Sequence, residues 1–129
     1  MERYGFSKLA NISGIFDGYK FGYRAMWGMN ENEIYSVGQA IYKYDGSEWK
    51  VQIGGQPDYL DIKGTSSNNI YTVGFHGTLK KFDGSYWTPI GGFSKYIVDF
   101  YSIMPFEEEI FVTGLQQGIG YIVRGKLIE

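Results

Sequence analysis

One pattern occurs three times in this chain, and its spacing constrains the fold more than any other feature. IYSVG begins at Ile34, IYTVG at Ile70 and IFVTG at Ile110, so the copies follow one another after 36 and 40 residues. Self-similarity at a period of this size is the sequence signature of a repeat protein. The sequence therefore predicts a fold that is built from copies of one small unit.

Each copy has the pattern of several short strands, without helical periodicity. Runs of β-branched and aromatic residues alternate with glycine, asparagine and serine. An aromatic-Asp-Gly turn follows the repeated run at Asp45-Gly46 and at Asp83-Gly84. Asp-Gly between strands is a strong hairpin signal, since both residues tolerate the positive φ of a type I′ turn. We therefore predict an all-β fold of four-stranded antiparallel units.

The units are predicted to form one repeat domain over residues 1–129. Its parts are an N-terminal tail with a partial hairpin at 1–22, and repeats at 23–53, 59–90 and 98–129. The partial hairpin contains Phe16-Asp17-Gly18, which has the same aromatic-Asp-Gly sequence as the later turns. In the third repeat, Arg124-Gly125 is predicted to take the place of the Asp-Gly turn.

The pattern N-x-I-Y-x-V-G, followed by aromatic-D-G-x-x-W, resembles the repeats of bacterial β-propeller proteins. Asn68–Gly74 with Phe82–Trp87 carries the resemblance best. Asn32–Gly38 with Tyr44–Trp49 follows closely, and the third copy lacks the Asp and the Trp. More distantly, the repeats are similar to kelch repeats and to the Asp-box of sialidase-like propellers. The resemblance implies propeller blades, often on secreted or surface-borne proteins, and no particular activity.

About three repeats are fewer than the usual blade number of a propeller, which is about four to eight. The resemblance therefore implies a partial propeller, or one that is completed by oligomerisation. The chain would be a piece of a larger propeller, a homo-oligomer whose copies close the ring together, or a chain whose terminal hairpins share a blade. Exposed apolar faces on the outermost units favour association in each case.

The composition excludes several classes of function. The net charge of −2 comes without a block of basic residues, so no nucleic-acid partner is expected. The chain has no cysteine, which removes disulfides, zinc-thiolate sites and thiol nucleophiles together. No apolar run approaches the roughly 18 residues of a membrane span. We predict no cofactor and no metal site, because no motif for either is present.

The expected location depends on what precedes the sequence. The start, MERYGFSKLANISG, lacks the apolar stretch of a signal peptide. We expect an extracellular or cell-surface protein if the chain is a fragment of a secreted protein, and a cytoplasmic one otherwise.

The strand order predicts where a ligand would bind. Turns between the second and third strands lie at the same end of the sheets as the links between units, and the Asp-Gly turns lie at the opposite end. Propellers often bind ligands at the first of these ends, which is an analogy between folds. The candidate ligand-binding residues are Gln39, Tyr59, Phe75, His76, Tyr96 and Gln116 at that end, and Trp27, whose place Lys63 holds in the second unit.

Two residue types could carry catalysis, and a structural role is favoured for each. His76 is the only histidine, and as a catalytic base it would need an orienting carboxylate and a nucleophile. We interpret it as an exposed turn residue. Asp45 and Asp83 could be taken for the paired carboxylates of a glycoside hydrolase, but both are expected to serve their turns. No catalytic residue is predicted.

The remaining motifs also have structural explanations. Trp49 and Trp87 stand at a fixed place after the turn Asp, which favours packing between units over sugar stacking. Glu107-Glu108-Glu109 lacks the ligand spacing of a calcium loop and is interpreted as a solvated turn.

We therefore expect a non-catalytic binding or interaction scaffold whose partner is a protein or a surface glycan. The alternative is a carbohydrate-binding, lectin-like module. It predicts equivalent sites in each unit, so Trp27, Tyr59 and Tyr96 would act alike. A glycoside hydrolase-type enzyme ranks behind both, because it needs two ionisable residues that converge on one site.

Overall fold

The fold is all-β in a computed structural model that describes residues 2–7, 15–16, 19–20, 22–54, 58–91 and 98–128. Within these residues, the chain forms one two-stranded hairpin and three antiparallel sheets of four, four and three strands. None of the described segments is a helix of the length and apolarity that crossing a bilayer requires. The predicted all-β class is confirmed.

The strands follow the chain order within each sheet. The strands are β1 Ile15–Phe16, β2 Tyr19–Lys20, β3 Ala25–Asn30, β4 Glu33–Val37, β5 Ile41–Tyr44, β6 Trp49–Ile53, β7 Tyr59–Ser66, β8 Asn69–Gly74, β9 Thr78–Phe82, β10 Trp87–Pro89, β11 Asp99–Pro105, β12 Glu109–Gln116 and β13 Ile119–Lys126. The first sheet is β3–β6, the second β7–β10 and the third β11–β13, each with neighbours in sequence paired side by side. The first two sheets have the four strands predicted for a unit.

The second sheet packs against a neighbouring sheet on each face, which explains why its strand β8 is buried without alternation. In β8, successive side chains point to opposite faces. Ile70 belongs to a core shared with Tyr35 of the first sheet. Its neighbour Tyr71 belongs to a core shared with Phe100 and Val112 of the third sheet. The first strands of neighbouring sheets also contact one another, β3 with β7 and β7 with β11.

The third unit departs from its prediction at the end of the chain. Arg124 and Gly125 do not form a turn: they lie within β13, where they pair with Phe111 and Ile110 of β12. No Asp precedes Gly125 to accept the backbone N–H groups of a loop, so the strand continues. Within the described residues, the third sheet therefore ends at its third strand. The type I′ signature, positive φ at two successive residues, occurs instead at Gln117 and Gly118, with φ of 49° and 78°.

The Asp-Gly turns are hairpins, as predicted, but they are not two-residue type I′ turns. Tyr44 pairs with Trp49, so four residues connect β5 and β6. Gly46 has a φ of 97°, whereas Asp45 is not among the residues with positive φ. Asp45 instead uses its side chain: Oδ1 accepts the backbone N–H groups of Ser47 at 2.8 Å and of Glu48 at 2.9 Å. Asp residues favour turns for this reason, as well as for their tolerance of unusual backbone angles.

The N-terminal hairpin has a different loop length. Ile15 pairs with Lys20 and Phe16 with Tyr19, which leaves two residues between the strands. Those residues, the Asp17 and Gly18 of the sequence prediction, lie outside the described part of the chain. The hairpin itself is confirmed, but its register differs from that of the longer loops in the first and second sheets.

Candidate functional site

One end of the sheets gathers the segments that the sequence predicted to meet there. We call this end the rim, defined by the residues just before β3, β7 and β11 and by the turns after β4, β8 and β12. Backbone hydrogen bonds hold neighbouring segments together: Tyr59 N–H donates to the Gly38 carbonyl at 2.8 Å, and Phe75 N–H donates to the Asp58 carbonyl at 3.1 Å. The rim is therefore a continuous surface that spans the first and second sheets.

Arg24 is the centre of the described rim. Its guanidinium carbon lies 5.5 Å from the centroid of the Phe75 ring and 5.0 Å from that of Tyr23. Its Nη2 atom lies 3.5 Å from Oδ2 of Asp58, and both side chains remain partly accessible to solvent. A cation over an aromatic face is attracted to the ring as well as to a carboxylate. Arg24 thus has its position set from two sides while part of the guanidinium faces water.

The third sheet extends this cluster. The Tyr101 ring meets the Phe75 ring edge to face, with centroids 6.3 Å apart and planes at 86°. Tyr101 and Tyr23 are both exposed. We call Tyr23, Arg24, Asp58, Phe75 and Tyr101 the rim cluster. It combines residues from all three sheets or from the segments that lead into them.

His76 lies beside the rim cluster in a strained turn. The 3-10 turn Phe75–Gly77 connects β8 and β9, and His76 has a φ of 59°, in the left-handed region. Its backbone N–H donates to Oδ1 of Asp99 at 2.9 Å. The interpretation of His76 as an exposed turn residue fits this geometry, because what the turn uses is its backbone.

Five of the seven predicted ligand-binding residues fall into three groups. Phe75 and His76 lie at the rim, half-buried and exposed respectively. Gln39 and Gln116 lie half-buried in the turn after β4 and at the end of β12. Tyr96 lies outside the described residues. Among the described candidates, Phe75 is the one that belongs to the rim cluster as defined by its ring contacts with Arg24 and Tyr101.

Tyr59 belongs to the core between the first and second sheets, and the partly buried Trp27 packs against that core. Trp27 stacks on Tyr35 with ring centroids 6.4 Å apart. Tyr59 is buried, and its hydroxyl oxygen accepts a hydrogen bond from Lys80 Nζ at 2.7 Å. The register also separates the two residues: Trp27 pairs with Tyr35, as Lys63 pairs with Tyr71, whereas Tyr59 pairs with Gly74. They are not equivalent positions of the repeat.

The turn and tryptophan residues at the opposite end have structural contacts. The Trp49 ring lies 5.2 Å from that of Tyr44, and the Trp87 ring lies 5.1 Å from that of Phe82. Oδ1 of Asp83 accepts the N–H groups of Ser85 and Tyr86, both at 2.8 Å. The bonds from Tyr86 and Ser85 hold the pKa of the Asp83 carboxyl below its usual range, and those from Glu48 and Ser47 do the same for Asp45. The lowered pKa keeps both carboxylates ionised, and the ionised form is the one that accepts the backbone hydrogen bonds of the turn.

The asparagine that precedes the repeated run in the first two units has a steric relation to the Asp-Gly turn that the sequence did not reveal. A Cβ on Gly46 would come 2.6 Å from the side-chain oxygen of Asn32, and one on Gly84 would come 2.5 Å from that of Asn68. The two turns of each sheet therefore touch, and the asparagine leaves no room for a side chain on the glycine.

The acidic run after β11 lines an open depression rather than a metal site. Phe106, Glu107, Glu108, Glu109, Arg124 and Lys126 surround a volume of about 590 Å³. Glu109 forms an ion pair with Arg124. Among the described residues, no cluster of three or more histidine or acidic side chains could hold a metal ion.

Three members of the rim cluster had no signal in the sequence. Tyr23, Arg24 and Tyr101 stand outside the repeated pattern, at places where the three units differ from one another. Only the order of the strands could have predicted their location, because each residue lies in, or just before, the first strand of a unit. Asp58, in contrast, lies in a link between units, and these links were expected at this end of the sheets.

Comparison with known proteins gives no match. Neither a family model, nor a curated protein, nor a solved structure is significantly similar to the chain.

Proposed function

We propose that the chain is a non-catalytic interaction scaffold, built from propeller-type blades, that binds a partner at the rim cluster. The observation that carries the proposal is the position of Arg24, whose guanidinium lies over Phe75 and beside Asp58 while it remains partly exposed. The exposed rings of Tyr23 and Tyr101 flank it. A partner would meet an oriented cation and two aromatic faces on one surface.

Two features support the propeller arrangement. The sheets contact one another in chain order, with the second between two cores that it shares with the first and the third. The first strands β3, β7 and β11 lie next to one another, as the innermost strands of successive blades would. Propellers repeat four-stranded sheets around a central channel, and their rims carry loops on a rigid support.

The composition of the rim cluster favours a protein partner. Tyr and Arg are enriched at protein interfaces and dominate the residues whose truncation costs most binding energy. The contacts with Asp58 and Phe75 hold Arg24 in place before binding, and β11 holds the backbone of Tyr101, so little conformational entropy is lost when a partner docks. Asp58 fixes the guanidinium without covering it, which leaves N–H donors for a partner's carbonyl or carboxylate groups.

A glycan is the second candidate, favoured by the exposed Tyr23 and Tyr101 rings, which present apolar faces with a polar tip. The lectin-like form of that candidate needs equivalent sites in each unit. The rim cluster instead takes different residue types from different units, and Trp27 and Tyr59 hold non-equivalent places. A single composite site fits a protein partner better.

The non-catalytic part of the proposal is supported by the contacts of the rim carboxylates. Asp58 pairs with Arg24, and Asp99 accepts the backbone N–H of His76. Both carboxylates thus serve structural contacts.

Two probes test this proposal on the same three variants. A peptide-display library tests for a protein partner, and an array of neutral and acidic glycans tests for a carbohydrate partner. Arg24→Ala and Tyr101→Ala are expected to reduce binding of the selected peptides at least tenfold. Tyr86→Ala, which changes an exposed tyrosine in the β9–β10 loop away from the rim cluster, is the control and should leave binding unchanged.

The outcomes distinguish a protein partner from a carbohydrate partner. Selected peptides that bind all three variants like the unchanged chain would place the site elsewhere and overturn the proposal. Binding to the glycan array that Tyr101→Ala abolishes, with no peptide selected, would replace the protein partner by a carbohydrate.

A further inference from the structure

The first strand of each sheet has an extra residue at its rim end. The register of β7 against β8 shifts across Leu60, and that of β11 against β12 shifts across Tyr101. Just before β3, the N–H of Arg24 donates to the carbonyl of Val37, the residue that pairs with Ala25. Two residues that face one residue of the neighbouring strand define a β-bulge.

Arg24, Leu60 and Tyr101 hold equivalent places in the three units. The residue that follows each of them pairs with the fourth residue of the repeated run, in the pairs Ala25 with Val37, Asp61 with Val73 and Ser102 with Thr113. The repeat therefore provides one extra residue per unit at the rim, but the side chain differs. It is a cation in the first unit, an aliphatic chain in the second and an aromatic ring in the third.

The bulge removes Leu60 from the alternation of the strand. Side chains normally alternate between two faces, yet Tyr59 and Ile62, an odd number of residues apart, belong to the same core. The extra residue between them accounts for the odd step. Leu60 is half-buried, and among the described residues it belongs neither to the two cores nor to the partly buried side chains that pack on them. Bulges that lie beside functional sites re-aim a side chain in this way.

Leu60 lies in the strand between those that carry the other two extra residues. β7 contacts β3 on one side and β11 on the other, and the equivalent places at the starts of those strands hold Arg24 and Tyr101. Both of these residues are members of the rim cluster. Leu60 also follows Asp58, whose carboxylate lies beside the Arg24 guanidinium, by two residues. The rim therefore presents a cation, an aliphatic side chain and an aromatic ring from three successive units.

We propose that Leu60 is a specificity-determining residue of the rim site, and that it selects a protein segment with an apolar side chain next to a carbonyl or carboxylate group. Arg24 donates to the oxygen, and Leu60 packs on the apolar side chain. A leucine offers apolar contact and no hydrogen bond, so it disfavours a glycan surface rich in hydroxyl groups. The inference rests on the proposed function, because it specifies what the same site binds.

Peptides selected from a display library on the unchanged chain are the first probe. Leu60→Asp should weaken their binding about tenfold or more, because a carboxylate then lies against an apolar side chain. Leu60→Met keeps the apolar character and nearly the volume, so it should bind like the unchanged chain. Leu127→Asp changes an exposed leucine just after β13 and is the matched control. Far-ultraviolet circular dichroism checks that each variant is folded.

A second selection separates a contact made by Leu60 from a purely structural role. A library selected on Leu60→Glu should enrich a basic residue at the peptide position where the unchanged chain enriches an apolar one. A loss of stability would weaken the binding of every peptide, but it would not exchange one residue type for another.

The absence of cysteine from the chain allows a direct test of proximity. Leu60→Cys introduces a single thiol, which a maleimide reagent labels. With a selected peptide at about ten times the Kd measured for this variant, labelling should be about tenfold slower, because only the unbound chain reacts. Leu127→Cys is the control and should be labelled at the same rate with and without the peptide.

Three results would overturn the inference and leave the proposed function standing. They are peptides that bind Leu60→Asp normally but lose binding to Arg24→Ala, a Leu60→Cys thiol that the peptide does not protect, and a selection on Leu60→Glu that enriches the same peptides as before. A library that enriches no peptide on the unchanged chain would overturn the proposed protein partner and this inference together.

Discussion

The buried carboxylate of Asp61, in β7, accepts the backbone N–H of Ile103, in β11, with Oδ2 and N 3.0 Å apart. The same oxygen also accepts a hydrogen bond from Lys63 Nζ at 2.7 Å. The acceptor lies in the second sheet and the donor in the third, beside the irregular register between Phe100 and Ser102. One side chain thus ties two sheets together through a backbone group.

Asp61→Ala should destabilise the protein by about 1–3 kcal/mol, because it leaves the buried N–H of Ile103 without its acceptor. Urea denaturation followed by tryptophan fluorescence measures the change in the free energy of unfolding. Asp61→Asn keeps an oxygen in place and should cost less. Lys63→Ala removes only a partly exposed ion pair, worth about 0–1 kcal/mol. Equal stability of Asp61→Ala and the unchanged chain would refute the link.

Gly84→Ala should destabilise the protein by about 1–3 kcal/mol, since an L-residue at such an angle is strained. Gly84 has a φ of 101°, and its added Cβ would come 2.5 Å from the Asn68 side-chain oxygen. The matched control is Gly120→Ala, where a Cβ meets nothing within 4 Å. Thermal unfolding should show a lower Tm for the first variant only. Adding Asn68→Ala should recover part of the loss, and no recovery would mean that the backbone angle alone matters.

Stability should fall at low pH through Asp45 and Asp83. Backbone hydrogen bonds, led by those from Glu48 and Tyr86, lower the pKa of each carboxyl below the usual 3.8 in the folded chain. A carboxyl with a lowered folded pKa contributes stability above its unfolded pKa, and that contribution is lost as the pH falls through the folded value. Replacing both residues with Asn should therefore flatten the dependence of Tm on pH below about pH 4. A carboxyl titration by NMR that gives ordinary pKa values for both would contradict this.

Tyr35→Phe should leave the protein as stable as before or slightly more stable at neutral pH. Among the described residues, the buried Tyr35 hydroxyl has no hydrogen-bond partner, and an unpaired buried hydroxyl costs free energy. Burial, with a smaller effect of Glu33, raises the pKa of Tyr35 from 10.0 to about 12. The unfolded chain therefore ionises first, and stability is lost as the pH rises from the unfolded to the folded pKa.

Denaturant curves at pH 8 and pH 11 test this prediction. The loss of stability between these two values should be smaller in Tyr35→Phe than in the unchanged chain. Tyr86→Phe, on an exposed tyrosine, is the control and should keep the full loss. A marked loss of stability in Tyr35→Phe at neutral pH would reveal a partner for the hydroxyl.

The sequence determined the strands of the first two units. Their β-branched and aromatic runs, the turns after Asn30 and Ser66 and the aromatic-Asp-Gly loops are local signals, and the strands lie where those signals predict them. Strand order then placed Phe75, His76 and Asp58 at one end, because alternation of direction in an antiparallel sheet is fixed by counting strands. The same counting failed in the third unit, where Arg124-Gly125 has the position of a turn but lacks the Asp that closes one.

Only the tertiary structure decided which side chains meet. Tyr59 is in the core and Trp27 packs against it, Arg24 lies between Phe75 and Asp58, and Asp61 reaches the backbone of Ile103. Each of these contacts joins residues of different sheets, so it depends on how the sheets pack and on small irregularities in register. A repeat pattern carries the features that its copies share, whereas a composite site is made where the copies differ. For that reason, the sequence by itself determined the unit and its strands, and the packing between units decided the rim cluster.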